Sequence, residues 1–236
     1  MDSATTYISE LFKDMIQAVF PDLCVGCIKN PKTKESIFCP DCLIHMPFTD
    51  HFNLKNNKVV QHFWGRININ HGAALLVLRE GNVTSKMVHG LKYKGRYETG
   101  FVLGQLAGKK MLESKYFEKP DIIIPVPISK RKKSIRGYNQ SAVFGKGLCD
   151  VTSFNMMEEN LIKVTETMSQ TGKSRTQRVE NVSATFQIVK PEMLKNKNVL
   201  LLDDVVTTGA TLEACCIKLI ESGVDKISIL TIAIAE

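Results

Sequence analysis

Residues 199–211 read Val199-Leu200-Leu201-Leu202-Asp203-Asp204-Val205-Val206-Thr207-Thr208-Gly209-Ala210-Thr211. Four apolar residues run into two adjacent carboxylates. A short loop of small hydroxyl residues with one glycine follows, and then the apolar spacing of a helix over 210–222. The pattern predicts a buried strand over 199–202 that ends where the acids begin. In a parallel α/β sheet, ligands sit at the carboxyl ends of strands. Residues 207–211 would place backbone N–H groups and hydroxyls at a helix N-terminus, where the dipole favours an anion. Gly209 allows close backbone approach. One element thus offers an anion cradle beside two carboxylate acceptors.

Outward from that string, strands and helices alternate. Strands are predicted over 73–78, 121–126, 161–164, 186–189 and 227–234, and helices over 83–91, 99–112 and 140–149. This order argues for an α/β fold with a mainly parallel sheet. The chain has 236 residues, 44% of them hydrophobic, enough for one core and a small appendage. Charged residues at 23% and aromatics at 7% exclude global disorder. The net charge of +7 fits a polyanionic partner or a phosphate site. No apolar run reaches the roughly 18–20 residues of a membrane span. Asp2, Glu10 and Asp14 interrupt the N-terminal apolar pattern, so a signal peptide is not expected and the cytoplasm is the expected compartment. Ile8, Leu11, Phe12, Met15, Ile16 and Val19 recur at helical spacing, which predicts an amphipathic packing helix over 3–19. The polar, Asn-rich segment 51–61 is read as a linker. The expected domains are therefore 1–62 (helix, cysteine-rich segment and linker) and 63–236.

Cys24-Val25-Gly26-Cys27 and Cys39-Pro40-Asp41-Cys42 are two C-x-x-C knuckles separated by eleven residues. Each knuckle turns two thiolates toward one ion, and two of them complete a tetrahedron, which suits Zn²⁺. Four cysteine ligands leave no open position, so the site is expected to be structural. Metal would supply the folding energy that so short a segment lacks, about 10–16 kcal/mol in small zinc modules. Cys149, Cys215 and Cys216 have no such partners and are read as core thiols, and none of the five histidines is assigned to metal.

Ile122-Ile123-Ile124-Pro125-Val126-Pro127 is a strand running into a restricted turn. Five of the next eight residues, 129–136, are cationic. A charge run is usually a solvated face, but this one leaves a sheet strand at its carboxyl end. Lys130, Arg131 and Arg136 there could neutralise a diphosphate or guide a nucleic-acid backbone. Residues 165–182, with Lys173 and Arg175, form a long basic connection between two predicted strands. Long loops in compact domains are often lids, and closure would bring a cation onto a departing anion. A rival reading makes 199–204 a Walker-B-like strand, with Gly172-Lys173-Ser174 as the end of a P-loop. Such a loop needs glycine five positions earlier, where Thr167 stands.

The string 199–211 resembles the phosphoribosyl-pyrophosphate (PRPP) motif of the type I phosphoribosyltransferases. That likeness implies that Asp203 and Asp204 hold the ribose 2- and 3-hydroxyls, and that Thr207, Thr208, Gly209, Ala210 and Thr211 hold the 5-phosphate. The PRPP-binding run is read as beginning at Val205 and Val206. In that family the loop after the Pro-Val-Pro strand meets the pyrophosphate, the place of Lys130, Arg131 and Arg136 here. The motif order resembles the ComF family (ComFC or GntX type) over nearly the whole chain. The four cysteines are followed by Gly90-Leu91-Lys92-Tyr93-Lys94-Gly95, Pro125-Val126-Pro127, Arg136-Gly137-Tyr138-Asn139-Gln140, then Gln170, Ser174, Arg175, Arg178 and Asn181, and the acidic string. The resemblance implies a phosphoribosyltransferase-like domain, Mg²⁺ with PRPP, and a role in DNA uptake or utilisation, with single-stranded DNA and a helicase-like protein as partners. Ile128-Ser129-Lys130 departs from the acidic or small residue that biosynthetic transferases carry after the turn. Two functions stay open: phosphoribosyl transfer to an acceptor, with Asp203, Asp204, Lys173 and Arg175 as catalytic residues, or a non-catalytic accessory that binds PRPP or single-stranded DNA.

Overall fold

The computed structural model describes residues 15, 21–33, 36–164 and 185–236. The predicted N-terminal helix, Lys173 and Arg175 lie outside the described residues, apart from Met15. The chain divides into two compact units, Met1–Met46 and Pro47–Glu236.

In the first unit the two knuckles fold as local turns. The Ile28 amide donates to the Cys24 carbonyl at 2.9 Å, and the Cys24 amide donates to the Asn30 carbonyl at 2.8 Å. The second knuckle opens a short helix, α1 (Pro40–Ile44), with Cys39 at its N-cap and Pro40 in its first turn, a position where proline is pre-organised. Among the described residues of this unit, Cys24, Phe38, Cys39, Cys42 and Met46 have buried hydrophobic side chains.

The second unit runs α2 (Lys58–His62), β1 (His71–Leu78), α3 (Val83–Tyr93), α4 (Tyr97–Glu113), β2 (Ile122–Pro125), α5 (Lys130–Arg136), α6 (Gln140–Thr152), β3 (Leu161–Lys163), β4 (Phe186–Ile188), β5 (Asn198–Val206), α7 (Ala210–Glu221) and β6 (Lys226–Ala235). Four strands form one sheet in the order β1-β6-β5-β2, every pair parallel. Its strands are near-continuous apolar runs, as a parallel sheet covered on both faces requires. β3 and β4 pair antiparallel as a separate two-stranded sheet, with Lys163 opposite Phe186.

Three local findings differ from the sequence reading. β5 continues to Val206, past the predicted end at residue 202. On one side it stays paired with β6 up to Val206↔Ile234, whereas on the other its partner β2 stops at Pro125↔Leu202. The last backbone bond on that side runs from the Val126 amide to the Leu202 carbonyl at 2.8 Å, just before Pro127. Among the described residues, Asp203 to Val206 therefore have no strand partner on the β2 side at the carboxyl edge of the sheet. Secondly, the basic segment is a helix, not a loop. Ser129 caps α5 by accepting from the Lys132 amide, and Gly137, at φ 81°, closes it. Thirdly, segment 51–61 packs as part of the second unit. The Asn57 side chain caps α2 and donates to the carbonyls of His51, Leu54 and Gly72, and Val59 is fully buried. Helices α4 and α6 meet backbone to backbone: a Cβ on Gly104 would lie 2.1 Å from the Phe144 carbonyl oxygen, and one on Gly147 would lie 1.8 Å from that of Phe101.

Candidate functional site

Side chains alternate along a strand, so the two acids leave β5 in different directions. Asp203 reaches Ser141 at the start of α6, whose hydroxyl donates to its Oδ1 at 3.0 Å. The Asp204 amide donates to the same oxygen at 2.8 Å. Asp204 pairs with Lys92 on α3, Nζ to Oδ2 3.0 Å. Both acids are half-buried. Burial, and next the neighbouring Asp204 charge, push Asp203 up to about 7, against the hydrogen bonds from the Asp204 amide and Ser141 and the charge of Lys92. Near neutrality Asp203 therefore divides between a protonated and an acceptor-only form.

Thr207 and Thr208 are exposed and Gly209 is buried. Gly209 takes φ 71° as the N-cap of α7, a left-handed conformation that glycine adopts freely. A Cβ there would also stand 2.8 Å from the His62 ring and 3.1 Å from Phe63. The loop is tied underneath by Arg66, which donates to the Thr208 carbonyl at 3.0 Å and to Glu213 of α7 at 2.9 Å. Among the described residues, none accepts a hydrogen bond from the amides of Thr207, Thr208 or Gly209. The resulting turn presents N–H groups and hydroxyls at a helix N-terminus, which is the chemistry of an anion site.

α5 buries none of its residues and carries Lys130, Arg131, Lys132, Lys133 and Arg136. One cavity of about 460 Å³ is bounded by Tyr93, Ser129, Arg131, Lys132, Arg136 and Lys163. A second, of about 430 Å³, takes Lys130 and Lys133 from the same helix. Neither is lined by Asp203, Asp204 or 207–211. The connection from α5 to the acids is made by the segment that follows it. Arg136 donates to Gln140 at 2.9 Å and lies over the Tyr93 ring at 5.4 Å. The Tyr138 hydroxyl donates to the Leu91 carbonyl at 2.6 Å. Asn139 caps α6 through the Ser141 amide and donates to the Val126 carbonyl at 3.0 Å. The sequence singled out the strings 90–95 and 136–140 but gave a role only to Arg136. The structure gives Lys92, Tyr93, Arg136, Tyr138 and Asn139 contacts around the acids and the basic helix. Ser141 and Arg66 carried no signal in the sequence.

In the first unit the Sγ atoms of Cys24, Cys27, Cys39 and Cys42 all lie within 4.8 Å of one another. Cys27 and Cys39 are 3.8 Å apart. A tetrahedron of bonds about 2.3 Å long has edges of about 3.8 Å, so the four sulfurs suit a metal ion such as zinc. Cys215 and Cys216 are buried thiols and Cys149 is half-buried. No helix among the described residues is long and apolar enough to cross a membrane.

The phosphoribosyl transferase domain family matches residues 101–235, more than half of the sequence, and the chain belongs to that family. It is 26% identical to DNA utilization protein YhgH of Shigella flexneri over 206 residues, covering 85% of each chain. It is 25% identical to competence protein F of Haemophilus influenzae over 223 residues, 89% of this chain and 96% of the other. These relatives agree with the ComF resemblance. Among solved structures, the chain aligns with the glutamine PRPP amidotransferase of B. subtilis at 18% identity and a TM-score of 0.44, over 61% of its own length and 30% of that chain.

Proposed function

We propose that the chain binds PRPP with Mg²⁺ at the carboxyl edge of β5 and transfers its phosphoribosyl group to an acceptor, in the service of DNA uptake or utilisation in the cytoplasm. The observation that supports this most is the unbroken run from Asp203 to Thr211. Two half-buried carboxylates, on the part of β5 that extends past its β2 partner, lead directly into a turn that heads a twelve-residue helix. In this reading Asp203 and Asp204 accept the ribose hydroxyls, and the run from Val205 and Val206 through Thr207, Thr208, Gly209, Ala210 and Thr211 encloses the 5-phosphate. Lys130, Arg131 and Arg136 face the diphosphate, and Lys173 and Arg175 bring further cations to it. As diphosphate leaves, positive charge grows on ribose carbon 1, and the basic side chains stabilise the charge that builds on the leaving group. Carboxylate and hydroxyl oxygens are the donors Mg²⁺ takes. When bound it neutralises diphosphate charge. The four cysteines hold a structural Zn²⁺.

Calorimetric titration with PRPP and Mg²⁺ tests the reading. The double variant Asp203→Asn, Asp204→Asn is expected to lose binding while its melting temperature is kept, and unchanged affinity refutes the assignment. One observation favours a second reading, a PRPP-binding accessory without turnover: both acids already have protein partners, Ser141 and Lys92. The accessory would act with single-stranded DNA and a helicase-like partner. Diphosphate release from PRPP, measured with and without acceptors including single-stranded DNA, separates the two. Release supports transfer, and tight binding without release supports the accessory.

A further inference from the structure

The turn at 207–209 is fastened by a side chain from outside the matched family region. Arg66 follows α2, and all three guanidinium nitrogens are engaged. Nε donates to Glu213 Oε2 at 2.9 Å, Nη2 pairs with the same oxygen, and Nη1 donates to the Thr208 carbonyl at 3.0 Å and to that of His62 at 3.4 Å. The two charged side chains are only 20% and 10% exposed. The guanidinium also lies 5.8 Å from the ring centroid of Phe63, part of the floor beneath Gly209.

We infer that Arg66 is a positioning residue for anion binding by the 207–209 turn; the inference rests on that turn taking the 5-phosphate. Two physical effects carry it. A trans peptide is planar, with its C=O and N–H pointing in opposite directions. Holding the Thr208 carbonyl on the Arg66 side therefore aims the Gly209 N–H away from Arg66. The second effect is electrostatic. Glu213 lies in the first turn of α7 and its amide donates to the Gly209 carbonyl at 2.9 Å. An unpaired carboxylate there would repel an anion at the same helix end. Arg66 cancels that charge and leaves the helix end positive. Lysine cannot reproduce the fork that joins the carbonyl to the carboxylate.

The probes are ribose 5-phosphate, for the turn, and inorganic diphosphate, whose proposed contacts are Lys130, Arg131, Arg136, Lys173 and Arg175. Arg66→Ala should weaken ribose 5-phosphate binding about tenfold or more, the loss of a charge-assisted contact, with diphosphate affinity unchanged. Arg66→Lys should fall between this variant and the parent. Because Arg66→Ala strands a buried carboxylate, a second variant, Arg66→Met with Glu213→Leu, removes both charges and keeps the volume. Its melting temperature should recover, and the part of the affinity lost to the bare Glu213 charge should return, while ribose 5-phosphate binding stays weaker than the parent's because the Thr208 carbonyl is no longer held. Full recovery of both, or a parallel loss for both probes, overturns the positioning role. If the parent protein fails to bind ribose 5-phosphate, the phosphate reading of the turn falls and takes this inference with it. If the parent binds and the Arg66 variants bind equally well, only the inference falls.

Discussion

The four sulfurs of the first unit and the two carboxylates at the end of β5 are gathered by different means. Cys24, Cys27, Cys39 and Cys42 span nineteen residues, and two tight turns bring them within 4.8 Å. Among the described residues few apolar side chains are buried around them, so in the proposed reading a bound ion would supply much of the energy that holds that unit. Asp203 and Asp204 sit instead on a strand locked between two others and covered by a large apolar core. Their surroundings come from chain segments far apart: Lys92, Ser141 and, for the following turn, Arg66 and His62. A site built by local spacing depends on its ligand for structure. A site built by topology has its structure before any ligand arrives.

The largest effect should come from attacking that contrast directly. Removing metal with a chelator, or substituting Cys24→Ser, should strip hydrogen-exchange protection from 21–33 and 36–46, because the folding energy supplied by a structural metal is about 10–16 kcal/mol. The thermal transition of 47–236 and its affinity for PRPP should persist. Collapse of both units together would break the comparison. Next comes Gly209→Ala. The left-handed backbone costs about 1–2 kcal/mol for an L-residue, and the added Cβ would press on the His62 ring at 2.8 Å. The melting temperature should drop and ribose 5-phosphate affinity should fall about tenfold or more, since the turn itself must shift.

The same contrast explains what could be read from the sequence. The cysteine knuckles and the string 199–211 are contiguous, so spacing alone located them, and the apolar runs of β1, β2 and β6 gave the parallel sheet. The helix α5 escaped because it buries nothing, and periodicity detects only a face that is buried. Its evidence lay in the caps, Ser129 and Gly137. The extension of β5 through the acids escaped because β6, not the local residues, continues the ladder to Val206. Asn57 looked like linker composition, yet its amide is consumed by three carbonyls. Ser141, Arg66 and the Lys92 ion pair depend on contacts across 62, 142 or 147 residues, or from α3 to β5, and no window of sequence contains them.

A smaller effect concerns acid stability in the second unit. His51 and His71 are both buried, and burial pushes each below its ordinary value, with the Lys58 charge adding to this at His51. His51 Nδ1 accepts from the Ala74 amide at 3.3 Å, a bond that protonation of that nitrogen would remove. The unfolded chain takes up protons at the ordinary histidine value, about 6.5, before the folded one does. Stability is therefore full above that value and is lost as pH falls through it toward the lower folded values. Asp203 acts in the opposite direction over part of this window in both proteins, so the comparison is between them: from pH 7.5 to pH 5.5 the urea midpoint of His71→Phe should lose less than the parent's. An unchanged slope would remove His71 from the account.

The smallest effect on stability, and the sharpest on the site, belongs to Lys92→Met. The ion pair with Asp204 is partly exposed, so its loss should cost about 1 kcal/mol or less. The charge of Lys92 is also one of the influences holding Asp203 down. Asp203 sits at about 7, above its ordinary carboxylate value, so the folded state keeps that proton longer than the unfolded chain. Its contribution makes stability without ligand fall as pH rises through the window from the ordinary value to about 7. Ligand affinity should move the other way, because ribose hydroxyls and Mg²⁺ call for the ionised acceptor. PRPP·Mg²⁺ affinity should thus climb as pH passes 7 in the parent protein and stay flat in Asp203→Asn. In Lys92→Met the climb should begin at higher pH. A climb that keeps its position in Lys92→Met would show that the α3 lysine does not act on the β5 acids, and the topological site would then be smaller than its contacts imply.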